Sequence, residues 1–399
     1  MTVKLPYSPS EQYRTKFPDF LLKKMDNFYF NRLRKEWNGE HIFRRAAFKE
    51  HSIDLTSNDY LQLFTDAKIL ASNNKITEGM PAAPLMSASF MYENTPQTTL
   101  ENRLASFFES ESAILCQSGY VANVGLMQAL VEDTDIPVYI DMMTHMSVWN
   151  GIRLGGGKAV PFLHNDMNSL LKKINEFGSG IIVVDSVYST DGTIAPLLEL
   201  AEIAKAKECM LIIDESHSVG THGPEGKGLA VELGINDVVL FRTASLAKAF
   251  ASRAGLILCP QEFKEFFNMT SKPQIFSSAL MPFDIDSLNT ILNLIQSETG
   301  NYRRIKLHRN SKQLKNLLLS FDIDISESES QIIALKTNSE NKLISIKKAL
   351  ESEHIFGAPF CSPATSKKRP VLRLTLHSEL QADQLEHIAI SCKKVYSNL

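Results

Sequence analysis

Asp214-Glu215-Ser216-His217 and Thr243-Ala244-Ser245-Leu246-Ala247-Lys248 are the two stretches of this chain whose residue types could do covalent chemistry. Each follows a short apolar run, Leu211-Ile212-Ile213 before the first and Val238 to Phe241 before the second. A lysine set among Ala, Leu and Phe is poorly placed for solvent, and burial lowers the pKa of its amine. A neutral amine is what Schiff-base formation with a carbonyl requires. A buried aspartate can hold a pyridine nitrogen protonated, which makes pyridoxal phosphate (PLP) an electron sink. Each residue alone has a plainer reading, Lys248 snorkelling from a helix and Asp214 capping one. Their ordered combination favours the cofactor.

Two further stretches fit beside them. Ser118-Gly119-Tyr120 follows a predicted strand (Ala113 to Cys116) and opens a helix, where free backbone N–H groups can hold a phosphate. Such turns also occur with no ligand. His145, just past the Val138–Asp141 run, could stack on a cofactor ring or serve only as a polar packing residue. Other chemistries are weakened by what is missing. Gly155-Gly156-Gly157-Lys158 resembles a nucleotide-binding loop, but the first glycine is absent at the required spacing and Ala159 follows the lysine. His217 and His222 are five apart, a poor pair for zinc, and neither H-E-x-x-H nor G-x-S-x-G occurs. No metal is expected.

The elements that would position these residues are legible as patterns. Val138-Tyr139-Ile140, Ile181 to Val184 and Leu211 to Ile213 suit strands buried on both faces. Between the last two, Leu197, Leu200, Ala201 and Ala204 share one helical face. Strand, helix, strand in this order predicts an α/β domain with a mostly parallel sheet. Asp141, Asp185 and Asp214 each end one of these runs, at the sheet edge where ligands bind in open α/β folds. After about residue 285 the pattern changes to a long polar helical stretch, a strand from Gln331 to Leu335, a helix, and a strand from Val371 to Leu376. A last helix carries Leu385, Ile388, Cys392 and Val395 on one face. The expected division is an N-terminal arm (1–60), a large cofactor-binding domain (61–285) and a small α+β domain (286–399).

Bulk properties agree with a soluble enzyme. The 399 residues exceed what one core usually serves, and 44% hydrophobic with 22% charged residues is an ordinary globular balance. A net charge of −3 without a long basic block gives no electrostatic reason to expect nucleic acid or an anionic membrane as partner. Met1–Lys16 lacks the apolar core of a signal peptide, and no apolar run approaches the roughly 18–20 residues that span a bilayer. Five scattered cysteines, with no C-x-x-C, read as reduced thiols of a cytoplasmic protein.

Taken in order, Ser57 to Leu61, Ser118 to Tyr120, Asp141 to His145, Asp185 to Ser189, Asp214 to His217 and Ser245 to Lys248 resemble the α-oxoamine synthases, which are fold-type I PLP enzymes. The likeness runs from about Asp19 to the C-terminus. It implies Lys248 as the cofactor lysine and the acid/base at the substrate Cα. It also implies Asp214 on the pyridine nitrogen, His217 near the ring hydroxyl and His145 on the ring face. Ser118, Gly119, Tyr120, Ser189 and Ser245 would lie around the phosphate and ring, and Ser277 and Ser278 would reach the partner subunit's phosphate in a homodimer with shared active sites. Asn58, Tyr60, Ser89 and Arg373 would meet substrate.

Departures bear on that substrate. Met86 to Phe90 lacks an arginine and histidine usual in the family, and Asp185 stands where a glutamate is common. Ser362 replaces an arginine expected to clamp a carboxylate. Lys367, Lys368, Arg369 and Arg373 could substitute, and only Arg373 lies in a well-defined strand. Ser87 to Phe90, Asp185 to Ser189, His145 to Trp149 and Ala364 to Lys367 are similar to one branch, the synthases of α-hydroxyketone quorum-sensing signals. The resemblance implies decarboxylative condensation of an amino acid or derivative with a medium- or long-chain acyl-CoA. A housekeeping synthase of the same family, serving biotin, haem, sphingolipid or threonine metabolism, is the alternative. A non-catalytic subunit is disfavoured by Lys248, Asp214 and His217, and an aminotransferase has no use for acyl-CoA.

Overall fold

The computed structural model describes residues 17–75, 86–90 and 95–397. Its strands, numbered along the chain, are β1 (Ile53–Leu55), β2 (Ser112–Cys116), β3 (Pro137–Asp141), β4 (Lys158–Phe162), β5 (Ile181–Asp185), β6 (Met210–Asp214), β7 (Val239–Ser245), β8 (Gly255–Cys259), β9 (Ile332–Lys336), β10 (Ile355–Phe360) and β11 (Val371–Thr375). The larger sheet has the order β2-β8-β7-β6-β5-β3-β4, parallel except for β8, which runs antiparallel to both neighbours. This is the mostly parallel α/β sheet expected of the fold-type I class.

Strand β5 shows why the sheet is apolar on both sides. Ile181 and Val183 pack toward the helices Gly119–Val131 and Met146–Leu154, while Ile182 and Val184 enter the larger core on the opposite face. Gly151 lets those two helices approach closely, because a Cβ there would sit 2.7 Å from the Met127 Cβ and 3.0 Å from the Asn123 carbonyl oxygen. The close approach puts Asn123 beside Ser147. Parallel strands carry their C-terminal residues to one edge, so Asp141, Asp185, Asp214 and Ser245 end side by side, with Asp185 level with Asp214 and Asp214 level with Thr243.

The smaller sheet has the order β1-β10-β11-β9, with β1 parallel to β10 and the other pairs antiparallel. Thus Ile53–Leu55, expected within the N-terminal arm, is an edge strand of the C-terminal sheet. The following residues are then fixed from three sides. The Ser378 N–H donates to the Tyr60 carbonyl, and Arg303 donates to the carbonyls of Leu61 and Gln62. Asn58 and Tyr60 are held in this way at the junction of the two sheets. All five cysteines are free thiols, and no helix of the described residues is long and apolar enough to cross a membrane.

Glu215, next to Asp214, forms a buried ion pair with Arg242 at 3.4 Å and accepts hydrogen bonds from the Ala230 N–H and the Ser218 hydroxyl. Arg242 also donates to the Phe108 carbonyl. Removing one member of a buried pair strands the other charge. Arg242→Met is therefore expected to lower unfolding free energy by about 3–5 kcal/mol in urea titration, and a loss below about 1 kcal/mol would contradict this.

Candidate active site

Lys248 lies three residues past the end of β7, half-buried, at one wall of a cavity of about 560 Å³ that Asn58, Phe48, Phe64 and Arg253 also line. Its Nζ is 2.6 Å from His217 Nε2. Burial lowers the amine pKa to about 8, with Arg373 pushing the same way and Asp214 and Asp185 opposing. The chain thus supplies an amine that is partly neutral near physiological pH, as a carbonyl-trapping lysine needs.

Asp214 is buried and held by neutral donors. Its Oδ2 accepts from Asn123 Nδ2 at 2.7 Å, and its Oδ1 accepts from the Ser216 N–H at 2.8 Å. Asn123 in turn accepts from the Thr243 hydroxyl at 2.6 Å and donates to Ser147 Oγ at 2.9 Å. Ser147 Oγ is 2.7 Å from His145 Nδ1, which also caps the helix Met146–Leu154. One hydrogen-bonded chain therefore fixes both the carboxylate and the imidazole expected on the ring face. Beside them Asp185 accepts the His145 N–H at 3.3 Å, and burial plus the Asp214 charge hold its carboxyl well above the usual range.

The start of the helix Gly119–Val131, where the phosphate is expected, is equally defined. Ser118 caps the helix Gly119–Val131 by accepting the Val121 N–H, and the N–H groups of Gly119 and Tyr120 have no partner among the described residues. Gly119 is pressed against Ser245, where an added Cβ would come within 2.5 Å of the Ser245 Cβ. These features fit PLP: free N–H donors at a helix start for its phosphate, an aspartate bonded to no protein cation among the described residues for its ring nitrogen, and a lysine of lowered pKa for its aldehyde.

The remaining expected residues are placed as follows. Tyr120 is about half exposed, its hydroxyl accepting from Asn150 Nδ2 and its ring edge-on to His145. The Ser189 carbonyl accepts from Arg373 at 2.8 Å, and Asn58 Oδ1 accepts from the same guanidinium at 3.2 Å. Tyr60 is fully buried behind His217, with its hydroxyl 2.5 Å from Nδ1. The Ser89 hydroxyl donates to the Asn268 carbonyl. Ser277 donates to the Pro273 carbonyl, and Ser278 bridges to Ser87. Of the four cations weighed as replacements at Ser362, Arg373 alone bonds to expected site residues. Lys367 pairs with Glu36 on the surface, and the Ser362 carbonyl accepts instead from Arg32. Asn123, Ser147 and Thr243 belong to this hydrogen-bonded chain but carry no motif of their own in the sequence. The available signal was an amide in the otherwise apolar turn Val121 to Met127, which implies a buried polar partner.

Fold and site define a PLP-dependent enzyme of fold type I, and the comparisons narrow it. Residues 50–390 match the family described as aminotransferase class I and II. The chain is 38% identical over 390 residues to the CAI-1 autoinducer synthase of Vibrio campbellii, covering 98% of both chains. It is 30% identical to the 8-amino-7-oxononanoate synthase of Lysinibacillus sphaericus, over 85% of this chain and 87% of that one. A solved structure of SPT (serine palmitoyltransferase) with PLP superposes with a TM-score of 0.87 at 22% identity, over 95% of this chain and 99% of its own. The chain belongs to the aminotransferase class I and II family, within its α-oxoamine synthase branch of PLP-dependent acyltransferases.

Gly119→Ala is expected to weaken PLP binding at least about tenfold in a titration of the cofactor-free protein, since the new methyl separates Ser245 from the helix start. Unchanged affinity would contradict the placement of the phosphate. Lys248→Met supplies a pH test on cofactor-free protein. The folded Lys248 binds its proton less tightly than an unfolded lysine, so the native state gains stability as pH rises from about 8 towards about 10.4. The variant lacks this term, so its advantage in unfolding free energy should be largest below pH 8 and shrink above it. A constant difference would count against the buried amine.

Proposed function

We propose that this enzyme condenses an amino acid, or a derivative of one, with a medium- or long-chain acyl-CoA, as a step toward an α-hydroxyketone quorum-sensing signal. The likeness to the CAI-1 autoinducer synthase over 98% of both chains carries the assignment to signal synthesis. One feature of the site supports the condensation. Arg373 is buried and its guanidinium bonds only to neutral oxygens, those of Ser189 and Asn58, with Nε unpaired among the described residues. A buried cation without a carboxylate partner is suited to a substrate carboxylate.

When bound, PLP supplies the electron sink that lets negative charge develop on the amino substrate's Cα. Arg373 and Asn58 orient the carboxylate, and Lys248 Nζ takes the Cα proton. Cα then forms its bond to the thioester carbonyl, the C–S bond breaks, and CoA leaves as the thiol. The carboxyl group is then lost as CO2, and the electron pair left on Cα takes up a proton from solvent, the one held on Lys248 having gone to the CoA sulfur. Phe48, Ile53 and Phe64 give the cavity beside Lys248 an apolar wall for the acyl chain. Asp214, His145 and His217 keep their positions throughout, each fixed by hydrogen bonds within the chain.

Arg373 also supports a second reading, a housekeeping synthase of the 8-amino-7-oxononanoate type. Ser362 does not speak against an intact amino-acid carboxylate once Arg373 can bind it. A panel of amino donors and acyl-CoAs, followed by CoA thiol release, separates the two. Preference for medium or long unbranched acyl chains supports signal synthesis, and use of one short or dicarboxylic thioester alone overturns it.

We also propose a homodimer that places Ser277 and Ser278 at the partner's phosphate. Phe276, next to them, is 84% exposed, and Gln117 fixes the segment by donating to the Ser278 carbonyl. Sedimentation at micromolar concentration should give a dimer, and a monomer with full activity would contradict this. Lys248→Ala should abolish product formation. Arg373→Leu should raise KM for the amino substrate about 30- to 150-fold, the loss of roughly 2–3 kcal/mol from a charged hydrogen-bonded pair. A KM within threefold of the parent would remove Arg373 from the carboxylate site.

A further inference from the structure

We infer that Tyr60 is a positioning residue that locks the His217 ring with its proton on Nε2, so that the ring presents a donor to Lys248. The inference rests on PLP chemistry at Lys248 and not on the identity of either substrate. Tyr60 is wholly buried, and among the described residues His217 Nδ1, at 2.5 Å, is the one acceptor its hydroxyl reaches. Gln331 Nε2 donates to the His217 carbonyl at 2.8 Å and so fixes the histidine backbone behind the ring. With Nδ1 the one acceptor in reach, the hydroxyl proton is directed at it. Burial, with Arg373 pushing the same way, keeps His217 neutral, and burial keeps the phenol protonated. A neutral imidazole whose Nδ1 accepts a hydrogen bond carries its single proton on Nε2.

That N–H points at Lys248 Nζ, 2.6 Å away. An amine can accept it only as the free base, so Tyr60 and His217 in sequence favour the neutral lysine. Asp214 and Asp185 favour the ammonium form, and Arg373 opposes it. The buried phenol therefore helps set which form prevails before the cofactor arrives. With PLP in place, the same Nε2–H is the donor available to the ring hydroxyl. Tyr60 thus acts through His217 and not on the substrate.

The test reads protonation, not turnover. Nitrogen-15 spectra of histidine-labelled full-length protein, with and without PLP, report the tautomer, and His217→Gln assigns the signal. The parent is expected to show Nε2–H. In Tyr60→Phe, which keeps the ring volume, His217 should lose its single tautomer. The midpoint of Lys248 acylation in cofactor-free protein, followed against pH by mass spectrometry, should rise by about one unit. A proton on Nδ1 in the parent overturns the inference even if the variant does not fold. An unchanged midpoint in a folded variant, judged by its circular dichroism melt, overturns it as well. Neither readout requires catalysis, so failure of the proposed condensation leaves the result interpretable.

Discussion

The Asp214 carboxylate, taken out of water and held among the described residues only by the neutral donors Asn123 and Ser216, is the constraint around which the site is organised. A buried carboxylate without a cation is costly, and the surrounding elements limit that cost while leaving the charge available. Parallel strands bring it to the sheet edge, and the helix Gly119–Val131 runs alongside to supply Asn123. Gly151 lets the helix Met146–Leu154 close against that helix and complete the chain to His145. Burial, with the same charge adding to it, pushes the Asp185 carboxyl well above its usual range, and it accepts the backbone N–H of His145. A protonated pyridine nitrogen would complete this arrangement.

The smaller sheet contributes the other half of the site. Strand β1 pairs with β10 and so fixes Asn58 and Tyr60 against the larger sheet's edge, while β11 extends Arg373 to Ser189 and Asn58. Arg373 bonds to side chains or carbonyls from two distant parts of the sequence and stacks its guanidinium 4.6 Å from the centre of the Phe360 ring. Arg373 and Lys248 are thereby held on separate elements with little freedom to approach, an arrangement that would suit the two proposed roles at opposite ends of one small substrate.

Much of this was legible in the sequence. The runs ending in Asp141, Asp185 and Asp214 are strands that end at those residues, because apolar runs buried on both faces leave a parallel sheet as the natural solution. Ser118-Gly119 opens a helix as its composition implies. What escaped is what depends on contacts across the chain. β1 is only three residues long and has no pattern of its own, so its pairing with β10 follows from tertiary packing. Asn123 and Thr243 meet because β6, β7 and one helix are neighbours, which no spacing along the chain reveals. The absence of arginine at Ser362 reads as a missing carboxylate ligand, yet Arg373 reaches the site from another strand, since guanidinium position depends on side-chain direction as well as sequence number.

The central claim is that Lys248 is the lysine that binds PLP. Borohydride reduction of the PLP-loaded protein, followed by proteolysis and peptide mass spectrometry, tests it most directly. The account predicts a single phosphopyridoxyl group, on the peptide carrying Lys248. Label on another lysine, or none on a protein that has taken up PLP, would contradict it.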